Sequence, residues 1–244
     1  MRKTICIAAM MLLPLSGLWA QADSTNTSAS QSDFSADFSL EVRNRRMWRG
    51  FVSSRVPEFI TSIDLGYKGL FAGAWSAYSF TSRPMHEVDV WVGYSIAGVS
   101  LTLIDFWYPS DSLGWRSDLF NFNPKTTTHQ AEAILEYSFS SIPLHLTAAA
   151  FIYGDDRNAE GKNIFSSYFE AAYQFEHKGV GLRPFIGVSP TRTGMYCESF
   201  NVVNLGATLS KRVAIGSHEM PATASVVINP YQETIGVIFT LGIL

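Results

Sequence analysis

The side chains of the segment His86–Ser95 (HEVDVWVGYS) alternate between apolar and polar over ten residues. Val88 and Val90 fall on one face of this segment, and Glu87 and Asp89 fall on the other. A period of two is that of a β-strand whose two faces meet different surroundings. About a dozen segments share the pattern, and no stretch after the N-terminal leader is long and apolar enough for a membrane-spanning helix.

A closed barrel with lipid outside and polar contents inside accounts for alternation in nearly every strand. We therefore predict an all-β fold, a transmembrane antiparallel up-and-down β-barrel of about twelve strands. The predicted strands are Phe34–Asn44, Glu58–Tyr67, Leu70–Phe80, His86–Ser95, Val99–Tyr108, His129–Phe139, Leu144–Gly154, Ile164–Phe175, Val180–Ser189, Val202–Ser210, Pro221–Asn229 and Thr234–Leu244.

The predicted connections differ in length on the two sides of the barrel. Short turns alternate with long polar loops, except that Lys211–Met220 is a long connection on the short-turn side. This asymmetry is typical of bacterial outer-membrane barrels and places both termini in the periplasm. The short turns are Lys68-Gly69, Ile96–Gly98 and Ser140–Pro143, and the long loops are Arg45–Pro57, Pro109–Thr128, Asp155–Asn163 and Pro190–Ser199.

The N-terminus has the pattern of an export signal. Met1-Arg2-Lys3 is basic, Thr4–Leu18 is mostly apolar, and Ala20-Gln21-Ala22 is a small-x-small cleavage site. We therefore predict a secretory signal peptide over residues 1–22. Residues 23–33 are rich in Ser and Thr and lack periodicity, which predicts a flexible periplasmic lead-in before a barrel over residues 34–244.

Charge and cysteine content exclude several classes of protein. The formal net charge is −3, which argues against a nucleic-acid partner. Only Cys197 follows the signal peptide, so neither an intrachain disulfide nor a cysteine-based metal cluster is expected. Asp155, Asp156 and Glu160 lack EF-hand spacing and are interpreted as a solvated loop, so no cofactor or metal is expected.

A secreted soluble barrel of the lipocalin type would also alternate. The strand length, which matches a tilted span of the bilayer, and the charge of the polar face both favour the membrane. Aromatic residues also cluster near strand ends, as in a membrane girdle. The girdle candidates are Trp48, Tyr67, Trp107, Tyr108, Tyr137, Phe139, Tyr153, Tyr173, Phe175 and Tyr231.

Strand five departs from the pattern at one position. Asp105 falls in phase with Leu101 and Leu103, on the face predicted to meet lipid. A carboxylate there is costly unless it lies near the interface or a bulge resets the phase. We favour a bulge.

Several motif residues occur in order between Arg43 and Pro109. They are Trp48-Arg49-Gly50, Gly69, Ala72-Gly73, Trp75-Ser76, Glu87-Val88-Asp89, Gly93-Tyr94 and Tyr108-Pro109. Together they resemble the TorF-type porins, a family of bacterial outer-membrane proteins whose function is largely unestablished. The resemblance implies an outer-membrane barrel and marks Trp48, Arg49, Gly50 and Trp75 as family-motif residues. Met47 departs from the usual aromatic or small apolar residue, and Leu244 departs from the usual terminal aromatic.

The polar faces of the predicted strands define the lining of the lumen. Acids outnumber bases there, which raises the local concentration of cations and disfavours anions. We therefore expect a porin that passes small solutes with a mild cation preference. The candidate lumen-lining residues are Glu41, Arg43, Glu58, Asp64, Glu87, Asp89, Gln130, Glu132, Glu136, Glu170, Gln174 and Arg183.

The alternative is a filled, structural barrel. Small barrels fill with paired Glu–Arg and Tyr networks that close the pore. Arg49 then pairs with a nearby carboxylate or a lipid phosphate, Trp48 anchors the girdle and Gly50 permits the turn, and we favour this interpretation of Arg49 over a ligand contact. The aromatic residues that would plug the lumen are Trp75, Trp91, Phe151, Tyr153 and Phe185.

Two further classes remain open. A lipid-modifying enzyme would use His129 with Ser110, Ser112 or Ser117, but no nucleophile motif occurs and we do not expect an enzyme. A surface-recognition barrel would use loop aromatics, which could equally fold back over the barrel mouth. Those aromatics are Trp115, Phe120, Phe122 and Tyr196. The expected partners are outer-membrane lipid, small solutes and the barrel-insertion machinery.

Overall fold

The structure, a computed structural model, describes residues 33–81, 86–109 and 117–244. The predicted signal peptide, most of the lead-in, and Ser110, Ser112 and Trp115 lie outside the described residues. The strands are β1 Phe34–Arg43, β2 Arg46–Trp48, β3 Phe51–Ser54, β4 Glu58–Tyr67, β5 Leu70–Ser79, β6 His86–Ile96, β7 Val99–Trp107, β8 Gln130–Ser138, β9 Leu144–Gly154, β10 Ser167–Tyr173, β11 Phe175–His177, β12 Val180–Ser189, β13 Asn201–Ile215, β14 His218–Asn229 and β15 Thr234–Gly242.

The large sheet closes on itself. β1 pairs antiparallel with β4, and each strand then pairs with the next along the chain from β4 to β9. The ring continues from β9 to β10, from β10 and β11 to β12, and on to β15, and β15 returns to β1 through the pair Glu41↔Gly242. β10 and β11 form one wall strand that is interrupted at Gln174, so the wall has twelve strands. Closure gives each wall strand two hydrogen-bonded neighbours, and the seam between β1 and β15 is short, with three register pairs. The predicted all-β antiparallel barrel of twelve strands is confirmed.

The two faces of the wall differ sharply in exposure. In β6, Val90 and Val92 are 49% and 47% exposed, whereas Asp89 and Trp91 are 0% and 5% exposed. Because side chains alternate across a strand, the apolar face is outside and the acidic face is inside. An apolar exterior is what a barrel in lipid requires. Among the described residues, no helix is long and apolar enough to cross a membrane, a criterion that does not extend to strands.

The two ends of the barrel differ in their connections. We call the end that holds residues 68–69, 97–98, 139–143, 178–179 and 216–217 the short-turn end, and the opposite end the long-loop end. The predicted long turn Lys211–Met220 is wrong. β13 and β14 continue as a paired ribbon to Ile215↔His218, because Gly216, at φ +63°, permits a two-residue turn.

The predicted bulge at Asp105 is also wrong. β7 pairs with β6 and β8 in continuous register. The two register shifts of the wall lie elsewhere and leave Ile152 in β9 and Val203 in β13 as extra residues. Asp105 stays on the outer face, where its Oδ2 lies 2.7 Å from His129 Nδ1. The Asp105 carboxylate on the outer face is therefore stabilised by a polar partner, His129, and not by a bulge.

Closure gives a testable result in gel mobility. A wall in which every strand has two hydrogen-bonded neighbours should resist SDS at room temperature, so the unboiled protein should migrate differently from the boiled protein. A chain truncated after Glu233 lacks β15 and is the matched control, because its wall cannot close. Equal mobility of the boiled and unboiled full-length protein would contradict a closed barrel.

Candidate functional site

The predicted long loop Arg45–Pro57 contains a hairpin. β2 and β3 pair with each other in a small separate sheet, and we call residues 46–54 the plug hairpin. Its turn residues Arg49 and Gly50 have φ of 48° and 86°, nearly the same pair of values as Lys68 and Gly69 in a short turn of the wall. Positive φ at both central residues is the geometry of a tight β-hairpin.

Asn44 directs the chain from the wall into the lumen. Its backbone N–H donates to the carbonyl of Phe239 at 3.2 Å. Its side-chain Oδ1 accepts from the Phe239 N–H at 2.8 Å, and its Nδ2 donates to the carbonyl of Val237 at 3.3 Å. The Asn44 side-chain amide thus makes the hydrogen bonds to β15 that the next backbone residue of β1 would otherwise make. β15 stays hydrogen-bonded while the chain leaves β1.

Arg49, at the tip of the plug hairpin, is held on every side. Its Nη1 lies 2.5 Å from Glu132 Oε1 and its Nη2 lies 3.0 Å from Glu132 Oε2, so β8 supplies a two-point ion pair. Nη1 also donates to the Tyr196 hydroxyl at 2.7 Å. The guanidinium carbon lies 4.4 Å from the ring centre of Trp48 and 4.6 Å from that of Tyr168, within cation–π range.

The charge state of this cluster is fixed by its surroundings. Burial is the largest single effect and lowers the pKa of Arg49, but the Glu132 carboxylate and the hydroxyls of Tyr196 and Tyr168 together outweigh burial, so the net pKa is raised. Burial raises the pKa of the Tyr196 hydroxyl above its ordinary value. Arg49 is therefore a cation and Tyr196 a neutral donor and acceptor at any ordinary pH.

A second arginine anchors the base of the plug hairpin. Arg46 Nε lies 3.1 Å from Glu58 Oε2, and Arg46 also pairs with Glu87 on β6. Its guanidinium lies over the Trp75 ring, 5.1 Å from the ring centre. The acidic lumen thus receives two cations from the chain itself, and each neutralises carboxylates of the wall.

Aromatic packing completes the plug. The Trp48 ring lies 5.8 Å from Phe106, 6.2 Å from Phe151 and 5.9 Å from Tyr196, the last pair stacked. The predicted girdle position of Trp48 is therefore wrong, because the ring points into the lumen. Tyr108 likewise packs against this interior cluster and not against the outside.

The predicted plugging aromatics divide between the two sides of the wall. Trp75, Trp91, Phe151 and Phe185 are buried in the lumen. Tyr153 is 38% exposed on the outer face. The reason is the extra residue at Ile152, which shifts the phase of β9 between Phe151 and Tyr153.

The predicted lumen-lining residues also fall into two groups. The first group is at most 7% exposed, and the second is half-buried. A side chain that lined a water-filled path would be exposed, so no such path runs past the first group. The first group is Glu41, Arg43, Glu58, Glu87, Asp89, Glu132 and Glu136, and the second is Asp64, Gln130, Glu170, Gln174 and Arg183.

The inward side chains near the short-turn end include exposed and half-buried polar ones, and we call this half of the lumen the vestibule. Its wall includes Asp37 and Asp64, which lie directly opposite each other in register on β1 and β4. Glu170 pairs with Arg183 at 3.2 Å and accepts from the Tyr168 hydroxyl at 2.5 Å. The two aspartates leave the vestibule with an acidic balance.

The β12–β13 loop also folds into the lumen. The Thr193 hydroxyl accepts from the backbone N–H groups of Tyr196 and Cys197 at 2.6 and 3.1 Å. This turn aims Tyr196, only 1% exposed, at the plug hairpin. Of the predicted loop aromatics in the described part of the chain, Tyr196 covers the mouth, whereas Phe120 and Phe122 stay exposed.

The β9–β10 loop is ordered by a carboxylate. Asp156 is buried and accepts from the backbone N–H and the hydroxyl of Ser166 at 2.9 and 2.5 Å. The prediction of a solvated loop is therefore wrong at Asp156. In the described part of the chain, no group of three or more His, Cys, Asp and Glu residues is placed to hold a metal ion.

The family-motif residues converge on the plug. Trp48, Arg49 and Gly50 form its tip, and Trp75 lies under Arg46. No protein-family model matches the chain, and no curated protein matches it at a significant level. The resemblance to the TorF-type porins therefore stays a prediction from these residues.

Proposed function

We propose that this protein is a bacterial outer-membrane barrel of the porin type that its own plug hairpin closes at rest. The observation that carries the proposal is the two-point pair between Arg49 and Glu132, whose side chains are 1% and 0% exposed inside the barrel. A loop that merely covers the mouth would leave Glu132 in water. Here the loop supplies the cation that this carboxylate needs.

The apolar outer wall supports the membrane location. β1 begins and β15 ends at the short-turn end, so a barrel of this type has both termini in the periplasm. That location requires the predicted signal peptide, and the barrel-insertion machinery and outer-membrane lipid are its proposed partners. The acidic vestibule faces the same side and would attract small cationic solutes, which supports a mild cation preference.

Closure at rest follows from the strength of the plug contacts. Withdrawal of the plug hairpin separates Arg46 and Arg49 from their buried carboxylates. A carboxylate that stays buried without its cation costs about 3–5 kcal/mol, and each 1.4 kcal/mol lowers the open population about tenfold. Thermal opening is therefore rare, and passage requires that the hairpin be displaced.

The second candidate function is a filled barrel with a structural role. The same ion pairs and the buried aromatics Trp91 and Phe151 favour it, since these rings belong to the wall and stay when the hairpin leaves. The two candidates differ in one measurable respect. A porin conducts once the plug hairpin is removed, whereas a filled barrel does not.

Planar bilayers test the proposal. The variant replaces residues 46–54 by a Gly–Ser linker of equal length, which removes both arginines and Trp48. We expect small or no conductance steps for the wild type and larger, cation-selective steps for the variant. Asp64→Asn in the variant should lower its cation selectivity, because it removes a vestibule carboxylate.

Two outcomes would contradict the proposal. Large steps in the wild type would show that the lumen is open at rest. Silence of a variant that still shows the heat-dependent shift in gel mobility would favour the filled barrel.

A further inference from the structure

Residues 117–128, between β7 and β8, lie against the outside of the wall at the long-loop end, and we call them the strap. Three outward side chains bind its backbone carbonyls. Trp107 Nε1 donates to the carbonyl of Ser117 at 2.9 Å, and the Tyr153 hydroxyl donates to that of Phe122. His129 Nε2 lies 3.0 Å from the carbonyl of Leu119.

His129 is the central contact. A carbonyl only accepts, so Nε2 must carry a hydrogen, and Nδ1 meets Asp105 at 2.7 Å. The ring lies between Trp107, nearly parallel at 6.0 Å, and Phe122, at 4.5 Å, and it is 1% exposed. A general base needs one ring nitrogen with a free lone pair, but Asp105 of the wall engages Nδ1 and the strap engages Nε2.

The strap satisfies much of its remaining backbone internally. The backbone N–H groups of Thr126 and Thr127 both donate to the carbonyl of Asn123 at 2.9 Å. The Asn123 side chain accepts from the N–H of Lys125 at 3.0 Å. In a low-dielectric medium each unsatisfied backbone group costs several kcal/mol, so this pattern suits a segment outside bulk water.

The free face of the strap carries a group of apolar side chains beside the exposed polar side chains of Asp118, Asn123 and Lys125. Phe120 is 86% exposed, and Leu119 and Phe122 are 46% and 50% exposed. These side chains continue the apolar outer band of the wall, in which Leu103 and Leu135 are each 49% exposed. The apolar outer band of the wall therefore continues onto the strap at these three side chains.

We propose that the strap lies at the boundary between lipid headgroups and acyl chains and inserts Phe120 into the acyl chains of the surrounding bilayer. The proposal rests on the proposed membrane location. Trp107, His129 and Tyr153 occupy girdle positions, where aromatic residues ordinarily turn their polar ends to the interface. Here they turn them to the strap, which replaces the interface over β7, β8 and β9.

Spin labelling tests the placement. Single cysteines at Phe120→Cys, Leu101→Cys and Glu160→Cys carry a nitroxide in the refolded barrel in phospholipid vesicles, and the native Cys197 is 4% exposed and shielded. Leu101 is the lipid control on the wall, and Glu160 is the water control in an exposed loop at the same end. We expect the label at Phe120 to collide with oxygen more than with a nickel chelate, as at Leu101, and the label at Glu160 to show the opposite ratio.

The controls separate the possible failures. A water-like ratio at Phe120 with a lipid-like ratio at Leu101 overturns the strap proposal and leaves the membrane location intact. A water-like ratio at Leu101 overturns both. Adding His129→Ala to Phe120→Cys should shift the oxygen-to-nickel collision ratio of the Phe120 label towards the ratio measured at Glu160. Adding His177→Ala, which changes an exposed histidine at the short-turn end, should leave the ratio at Phe120 unchanged.

Discussion

Replacing Arg49 by methionine is expected to lower the free energy of unfolding by about 3–5 kcal/mol. The substitution keeps most of the side-chain volume between Trp48 and Tyr168 but leaves the Glu132 carboxylate, 0% exposed, without its cation. A buried unpaired charge is among the largest single-residue penalties in a folded protein. Urea titration of the barrel refolded into lipid vesicles measures the loss.

Two further variants make that result specific. Lys68→Met removes an ion pair to Asp33 whose side chains are 58% and 59% exposed, and it is expected to cost under about 1 kcal/mol. Glu132→Leu added to Arg49→Met should recover most of the loss, because a buried ion pair is often replaceable by apolar side chains of similar volume. Equal effects of Arg49→Met and Lys68→Met would contradict the anchoring role of Arg49.

Gly50→Ala is expected to unseat the plug hairpin. A Cβ at Gly50 would lie 1.9 Å from the carbonyl oxygen of Val203, a backbone atom that no side-chain rotation can move. The φ of +86° adds strain of about 1–3 kcal/mol for any residue other than glycine. Limited trypsin digestion with mass spectrometry should then detect cleavage after Arg49, which the wild type resists because Arg49 is 5% exposed.

Gly161→Ala separates the clash from the strain. Gly161 has a φ of +76° but no atom within 4 Å of an added Cβ. It therefore carries a similar backbone strain without the overlap, and its trypsin pattern should match that of the wild type. Protection of Arg49 in Gly50→Ala would show that the hairpin does not need its close approach to β13.

Most of the wall was predictable from the sequence. Alternation in segments such as Val88–Tyr94 determines which side chains lie inside, because a shift of one residue would turn every side chain over. The composition of Lys211–Met220 predicts a loop because its residues are largely polar, although the segment forms a paired ribbon. The segment nevertheless forms strands, because β13 pairs with β14 along its length and Gly216 permits a tight turn.

The plug was less predictable, because an aromatic residue at a strand end can lie either in the outer girdle or inside the lumen. Trp48 fits a membrane girdle by position, but Arg46 and Arg49 beside it determine where it goes. The available signal was charge balance, because the predicted lumen holds more acids than bases and these two arginines directly follow the first strand. Local alternation cannot predict the partner of Asp105, because His129 lies 24 positions along the chain.

Asn44 links the plug hairpin to the order in which the molecule is assembled. β1 is made first, yet its seam partner β15 is made last, and the Asn44 side chain bonds to β15. The contacts of Arg49 to Glu132 and Tyr196 span 83 and 147 positions of the chain. The hairpin therefore emerges early but finds its full set of partners only when the C-terminal strands arrive. Sealing of the wall and full seating of the hairpin therefore both require the C-terminal third of the chain.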